Sequence, residues 1–311
     1  MNAYIHSALG EASIERLREA LAADHILTFR AEAEDEARQA FEKAELILGN
    51  PPADWFEQVP ASLQFWQLDS AGFDQYKEVQ LDEKVRVANM GDWFARPCAE
   101  TIVGGVLALY RGLDTLTLLK EKAEWVGASL RPQLYTLNQQ KAVVLGVGTI
   151  GTAVRKILEG FNCEVKSMAR TSPEAELHSR EELLAELATT DVVFNTLPGT
   201  AQRLVDEEFL SAMKKGSVYA NVGRGNTTDE AALRRALESG HLYGAVLDVT
   251  EVEPLPADSP LWQMPRVVLT QHTGGGQARE NDGKVALFIR NVNRFSQGET
   301  LESAVDLQRG Y

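Results

Sequence analysis

The stretch VVLGVGTIGTAV, Val143 to Val154, restricts the fold of this chain more than any other. An apolar, β-branched run ends in three glycines, Gly146, Gly148 and Gly151. A helical pattern follows at once, with Ile150, Val154, Ile157 and Leu158 on one stripe. Glycines at this spacing also occur in ordinary turns, but the strand before and the helix after supply the context a phosphate cradle needs. The first glycine allows a tight turn, the second lets a pyrophosphate approach the backbone, and the third lets helix and strand pack closely. Thr149 and Ile150 open the helix, whose free N–H groups and positive dipole end suit an anion. The expected ligand is a dinucleotide.

The next strand, CEVKSMA, tests which dinucleotide. An NAD site usually carries Asp or Glu about 20 residues after the glycine loop, accepting from the ribose 2′-hydroxyl. Here the strand runs into Arg170, Thr171 and Ser172, while Glu164 lies at its beginning, on the other edge of the sheet. A guanidinium with two hydroxyls suits a 2′-phosphate, which a carboxylate would repel. The expected cofactor is NADPH, with NADH accepted less well; a solvated loop charge is the other reading of Arg170.

Strand-like runs alternate with helical patterns along the whole chain. YIHSAL, HILTF, ELILG, LQFWQL and VRVANM occupy the first ninety residues, with helices through Ile14, Leu17 and Leu21 and over 34–44 between them. From Cys98 come a long helix, an amphipathic segment carrying Trp125, and a second series: KAVVLG, CEVKSMA, DVVFNTL, GSVYANV, YGAVLDV and RVVLTQ. A last helix over about 281–295 sets Val285, Phe288, Ile289 and Val292 on one stripe. This alternation predicts an α/β protein with two doubly wound, parallel-sheet, Rossmann-like domains. A chain of 311 residues with 44% hydrophobic and 24% charged residues has the size and composition for two such cores.

The net charge of −14 opposes binding to a nucleic-acid backbone but not to a small anion at a local positive site. Cys98 and Cys163 are far apart and form no disulfide framework or zinc motif, which fits a reducing compartment. The start shows no secretory pattern, and the greasiest run, TIVGGVLALY, is too short to span a bilayer. The expectation is a cytoplasmic protein with no membrane partner.

Ligands of open α/β sheets bind beyond the carboxyl ends of the strands. Three late strands run into charged groups there: GSVYANV into Arg224, YGAVLDV into Glu253, and RVVLTQ into His272. Each alone reads as an ordinary surface or loop residue; three in series after a cofactor loop point to chemistry. Arginine can hold a substrate carboxylate and polarise the adjacent carbonyl. Protonated histidine can give a proton to that carbonyl oxygen as hydride reaches carbon, and a carboxylate beside it orients the ring. No metal is needed. Asp248, ending the LDV strand, either orients the histidine, contacts the nicotinamide, or is a structural carboxylate.

LDSAGFDQY, CAE, LGVGTIG, NTLPGT, NVGRGNTTDEAAL, GAVLDVTEVEPLP and SPLWQMPRVVLTQHTGG, with the late helix, resemble the D-isomer-specific 2-hydroxyacid dehydrogenase family over most of the chain. Within it, the chain is most similar to the reductases of glyoxylate and hydroxypyruvate. The resemblance implies NADPH-dependent reduction of a small 2-oxo acid to the D-2-hydroxy acid, with Arg224, Glu253 and His272 catalytic. It implies a cofactor surface completed by Leu197, Pro198, Val222, Gly223, Asp248 and Gly274, and a loop at Ser70, Ala71 and Gly72 whose amides, those of Ala71 and Gly72 foremost, bind the substrate carboxylate. It further implies a discontinuous substrate domain, 1–95 plus 281–311, a dinucleotide domain over 96–280, and a homodimer to which the AETIVGGVLALYRGL helix contributes. Trp66, Trp93 and Phe94 are either pocket or core aromatics.

One departure stands out. The family's histidine follows a proline and precedes an aliphatic residue, whereas here Gln271 and Thr273 flank it, so its backbone is expected to be less constrained. Glu253 keeps the acid position, so Gln271 does not convert the site. A non-catalytic dinucleotide sensor on the same fold is the competing reading, and a methyl transferase using the glycine loop for a nucleoside a remote third.

Overall fold

The computed structural model describes residues 1–309, so Gly310 and Tyr311, at the end of the expected substrate domain, lie outside the described residues. The chain divides into two compact units, Met1–Phe94 with the chain from Gln277 onward, and Ala95–Gly276.

The first unit contains β1 (Asn2–Ile5), α1 (Glu11–Leu21), β2 (Ile26–Phe29), α2 (Glu34–Phe41), β3 (Leu46–Leu48), β4 (Phe65–Gln67) and β5 (Arg86–Ala88). All five strands are parallel, in the order β2-β1-β3-β4-β5. Both faces of the central strands are covered, so their alternate residues serve different cores, while edge strand β2 leaves Ile26 and Thr28 exposed. Tyr4, Ile47 and Trp66 join Phe41 of α2, Trp55, Phe56 and Tyr76 in an aromatic cluster. Ala3, Ile5, Leu46, Leu48 and Phe65 face Leu17 and Leu21 of α1 and Val285, Phe288 and Val292 of the late helix. Trp66 is thus a core residue: it is fully buried, stacks on Phe56 at 4.3 Å between centroids, and donates from Nε1 to the Gly49 carbonyl at 2.8 Å. Trp93 is half-exposed, its ring lying where a side chain on Gly283 would go.

The second unit contains α3 (Ala95–Tyr110), α4 (Leu113–Glu121), β6 (Lys141–Leu145), α5 (Thr149–Gly160), β7 (Glu164–Met168), α6 (Arg180–Leu187), β8 (Val192–Asn195), α7 (Glu207–Ala212), β9 (Val218–Asn221), α8 (Glu230–Glu238), β10 (Gly244–Leu247) and β11 (Val267–Leu269); α9 (Glu280–Ser296) returns to the first unit. Its six strands are all parallel, in the order β11-β10-β9-β8-β6-β7. From β6 the chain goes outward to β7 and then returns to β8 on the other side, which opens a crevice at that switch point. Bare Gly105 lets α3 lie directly on Val246 of β10.

The amphipathic segment carrying Trp125 leaves that side chain open. Trp125 lies beyond α4 and is 96% exposed, and α4 itself buries no residue. No single helix among the described residues is long and apolar enough to cross a membrane.

Candidate active site

Strand register brings the ends of the second sheet level. Leu145 pairs with both Met168 and Asn195, Asn195 with Asn221, Asn221 with Leu247, and Leu247 with Leu269. Every cofactor-binding and catalytic candidate in this unit follows that row: Gly146 to Gly151, Arg170 to Ser172, Leu197 and Pro198, Val222 to Arg224, Asp248 to Glu253, and His272 to Gly274.

The glycine loop has the shape its residues require. Gly146 has φ +102°, a region L side chains rarely enter. A Cβ on Gly151 would land on the Gly146 carbonyl, so loop and helix can meet only if that position is bare. A Cβ on Gly148 would meet nothing within 4 Å, which leaves the backbone open to an approaching phosphate. Thr149, the first residue of α5, is exposed at the helix N-terminus. These features fit a dinucleotide pyrophosphate.

Beyond β8 and β9, two buried asparagines shape the neighbouring loops. Asn195 Oδ1 accepts from the Leu197 N–H at 3.0 Å, and its Nδ2 donates to Tyr219 Oη and Thr227 Oγ1, both at 2.8 Å. Asn221 Oδ1 accepts from the Gly223 N–H at 3.0 Å, and Nδ2 donates to the Arg224 carbonyl at 3.2 Å. That carbonyl also accepts from Thr227 Oγ1 at 2.6 Å. Burial pushes the Tyr219 hydroxyl upward, so it stays a neutral partner in the network. Gly223 is bare because a Cβ would strike the Leu197 backbone, and Gly225 because one would strike the Thr250 carbonyl. Arg224, half-buried between them, donates from Nη1 to the Gly223 carbonyl at 2.8 Å.

His272 Nδ1 lies 2.6 Å from Glu253 Oε2, and Glu253 Oε1 accepts from the Thr250 N–H at 3.0 Å. An ionised carboxylate can only accept, so Nδ1 carries the hydrogen and Nε2 is left to exchange a proton with a ligand. The pair borders a cavity of about 400 Å³, whose apolar wall includes Leu247, Leu255, Trp262 and Leu269.

The backbone around His272 is more constrained than its flanking residues suggest. Gln271 and His272 have φ +54° and +56°, two consecutive left-handed residues. Proline cannot adopt that φ, so this turn requires a residue other than proline at 271. Left-handed L residues each cost about 1–2 kcal/mol, and Asp248 opposes that cost. Its carbonyl accepts from the His272 N–H at 2.6 Å. Its Oδ1 accepts from Thr270 Oγ1 at 2.6 Å, Thr273 N–H at 3.1 Å and Gly274 N–H at 3.0 Å. Gly274 is bare for Asp248 too, since its Cβ would sit 2.7 Å from Oδ2. Asp248 therefore acts on the histidine through the loop. Burial, with the Asp248 carboxylate adding to it, pushes the Cys98 thiol of α3 up to about 12, which leaves it unreactive.

In the first unit, the Ser70–Gly72 loop is built from its carbonyls: Asn89 Nδ2 donates to Ala71 O and Ser70 Oγ to Gly72 O, each at 2.6 Å.

The family model described as D-isomer specific 2-hydroxyacid dehydrogenase, NAD binding domain, matches residues 103–274, a span that takes in the glycine loop and all six strands of the second sheet. The chain belongs to that family and is an NAD(P)-dependent oxidoreductase with a Rossmann-like fold. It is 36% identical over 218 residues, 68% of each chain, to a glyoxylate/hydroxypyruvate reductase A of Salmonella heidelberg. Among solved structures it superposes on a D-isomer specific 2-hydroxyacid dehydrogenase of Xanthobacter autotrophicus in complex with NADPH and MES, at TM-score 0.82 and 27% identity, covering 100% of this chain and 99% of that one. It also superposes on an NADPH-dependent glyoxylate/hydroxypyruvate reductase of Sinorhizobium meliloti in complex with citrate, at TM-score 0.79 and 25% identity, covering 99% and 98%.

Proposed function

We propose that this chain is an NADPH-dependent reductase of small 2-oxo acids, glyoxylate and hydroxypyruvate first, releasing the D-2-hydroxy acid. The observation that carries this reading is the His272–Glu253 pair at 2.6 Å, on the same row of strand ends as the glycine loop. The names of the Salmonella and Sinorhizobium relatives support the substrate class, and the NADPH bound in the Xanthobacter structure supports the cofactor.

Gly146 to Gly151 would hold the pyrophosphate and Arg170, Thr171 and Ser172 the ribose phosphate. Leu197, Pro198, Val222 and Gly223 would line the same crevice. The bound cofactor supplies hydride. Arg224 binds the substrate carboxylate through its guanidinium and draws electron density from the neighbouring carbonyl. His272 Nε2 gives its proton to the carbonyl oxygen as that oxygen becomes an alcohol. Glu253 accepts from Nδ1–H throughout, fixing the ring's orientation and tautomer. The amides of Ala71 and Gly72 are assigned to a substrate carboxylate as well. We further assign a homodimer, supported by the exposed Leu113, Leu116 and Leu118 of α4 with Trp125 beyond it.

Near-ultraviolet absorbance of the reduced cofactor, followed with NADPH and NADH against a panel of 2-oxo acids, tests the reading. Consumption of NADPH with glyoxylate or hydroxypyruvate is expected. No consumption with any member of the panel would overturn it.

A further inference from the structure

The edge strand of the second sheet carries one more residue than its cofactor role has used. Leu177 makes an isolated parallel bridge to Met168, and the Ala169 N–H donates to the Leu177 carbonyl at 3.0 Å. The segment Glu176–His178 therefore runs as a short extra strand outside β7, parallel to it. Ligands gather at the carboxyl ends of such strands, and the residue delivered there is His178, level with Ala169, the residue that precedes Arg170 in the chain.

His178 is exposed, and its Nδ1 lies 2.9 Å from the Ala169 carbonyl. A carbonyl only accepts, so Nδ1–H donates and Nε2 is free to face a ligand. Building on the assignment of Arg170 to a ribose phosphate, we propose that His178 is a second, protonatable contact for the 2′-phosphate of NADPH, which makes the preference for NADPH over NADH depend on pH.

The charges around His178 are arranged compatibly. Glu176 is engaged by Arg155 of α5 through a fork, Nη2 to Oε1 at 2.7 Å and Nη1 to Oε2 at 3.0 Å, and it also accepts from the Ser167 N–H at 2.7 Å. Arg155 holds the Glu176 carboxyl below its usual range, so it remains an ion with its charge already answered. Glu182 of α6 is engaged by the backbone N–H groups of His178 at 2.7 Å and Ser179 at 3.1 Å. Arg180 is turned to Asp206 and Glu208, each at 2.8 Å. Arg170 and Glu174 complete the charged groups of the loop, along with Glu181 at the start of α6. Imidazole in general changes charge near neutral pH, and the extra strand anchors this ring against the Ala169 carbonyl.

Dissociation constants for NADPH and NADH, measured by calorimetry without substrate for wild type, H178A, H178Q and R170A at about pH 6 and about pH 8.5, test the proposal. The 2′-phosphate itself titrates near pH 6, so wild type is compared with each variant at the same pH. At the lower pH, H178A is expected to weaken NADPH about tenfold, the scale of one charge-assisted hydrogen bond, with NADH changed less than about twofold. At the higher pH the two proteins should agree within about twofold, and H178Q, which cannot charge, should show no growing deficit relative to H178A as pH falls. A wild type that prefers NADPH, with an NADPH-to-NADH ratio unmoved in H178A at either pH, overturns the His178 role alone. A wild type with no preference for NADPH overturns the Arg170 assignment and this one together, and R170A then shifts neither cofactor.

Discussion

Asp248 and Gly274 offer the sharpest test of how the histidine is held. In D248A the Thr270 hydroxyl and the Thr273 and Gly274 N–H groups all lose the oxygen they share. The hydroxyl can rotate and Thr273 is exposed, whereas the Gly274 amide is buried. At about 1–3 kcal/mol for a buried group left unsatisfied, the substitution should cost about 2–4 kcal/mol. In G274A the new Cβ would meet Asp248 Oδ2 at 2.7 Å, Cγ at 3.0 Å and Oδ1 at 3.3 Å. Overpacking of that kind costs about 1–3 kcal/mol. All three atoms belong to Asp248, so in a D248A background the second substitution should cost almost nothing. The coupling read from urea unfolding of the four proteins is then about 1–3 kcal/mol, well outside the scatter of independent sites. Each single variant also loosens the restraint on the left-handed pair, so turnover should fall about tenfold or more if His272 is the proton donor. Additive stabilities, within about 0.5 kcal/mol, would refute the direct contact on which this account of the loop rests.

Three further outcomes are expected. H272N should lower turnover about 10²–10⁴-fold with cofactor affinity retained, and E253Q should lower it about tenfold or more; stopped-flow turnover beside equilibrium cofactor binding separates the two effects. G151A should cut affinity for both cofactors, since its methyl group would strike the Gly146 carbonyl and open the loop; unchanged binding would remove that loop from the pyrophosphate site. His6, buried and set near Arg30, has its pKa lowered from 6.5 to about 4, by burial first and Arg30 second, with Asp69 opposing. The unfolded chain therefore takes up this proton before the folded one, and the stability it supports is lost as pH falls from about 6.5 toward about 4, reaching about 2 kcal/mol at pH 5. Urea unfolding of wild type and H6Q across that range should show a shallower acid slope in the variant.

Features legible in the sequence were those that one local segment specifies. Ten of the eleven strands among the described residues fall within the apolar runs that predict them, because the central strands are covered on both faces; β1, Asn2–Ile5, starts two residues before YIHSAL and shares only Tyr4 and Ile5 with it. The glycine loop could be read because bare residues at Gly146 and Gly151 answer a steric need within six positions. The two buried asparagines left a weaker trace. VVFN and VYAN both end an apolar run in the same amide, and the sheet pairs those two residues directly. A polar side chain at the same place in successive buried strands was the available signal, and it marks the floor under the Leu197 and Gly223 loops.

Contacts between residues distant in sequence were not legible. The flanks of His272 suggested a looser backbone because the family's proline is missing. The turn instead demands a φ that proline cannot take, and the restraint comes from a carboxylate more than twenty residues upstream. Asp248 therefore explains the first glycine beyond the histidine, whose Cβ would strike its carboxylate, while the left-handed φ at 271 excludes proline there and the Thr273 side chain answers the Thr270 carbonyl. Thr273 donates its N–H to the same oxygen that Thr270 and Gly274 use, and its hydroxyl donates to the Thr270 carbonyl at 2.6 Å, a bond an aliphatic residue could not make. The departures from the family pattern are therefore correlated: a residue that accepts left-handed φ at 271 and a hydroxyl at 273 are parts of one turn. Placing proline at 271 should remove the left-handed geometry and displace His272 from Glu253, read as lost turnover with cofactor affinity retained.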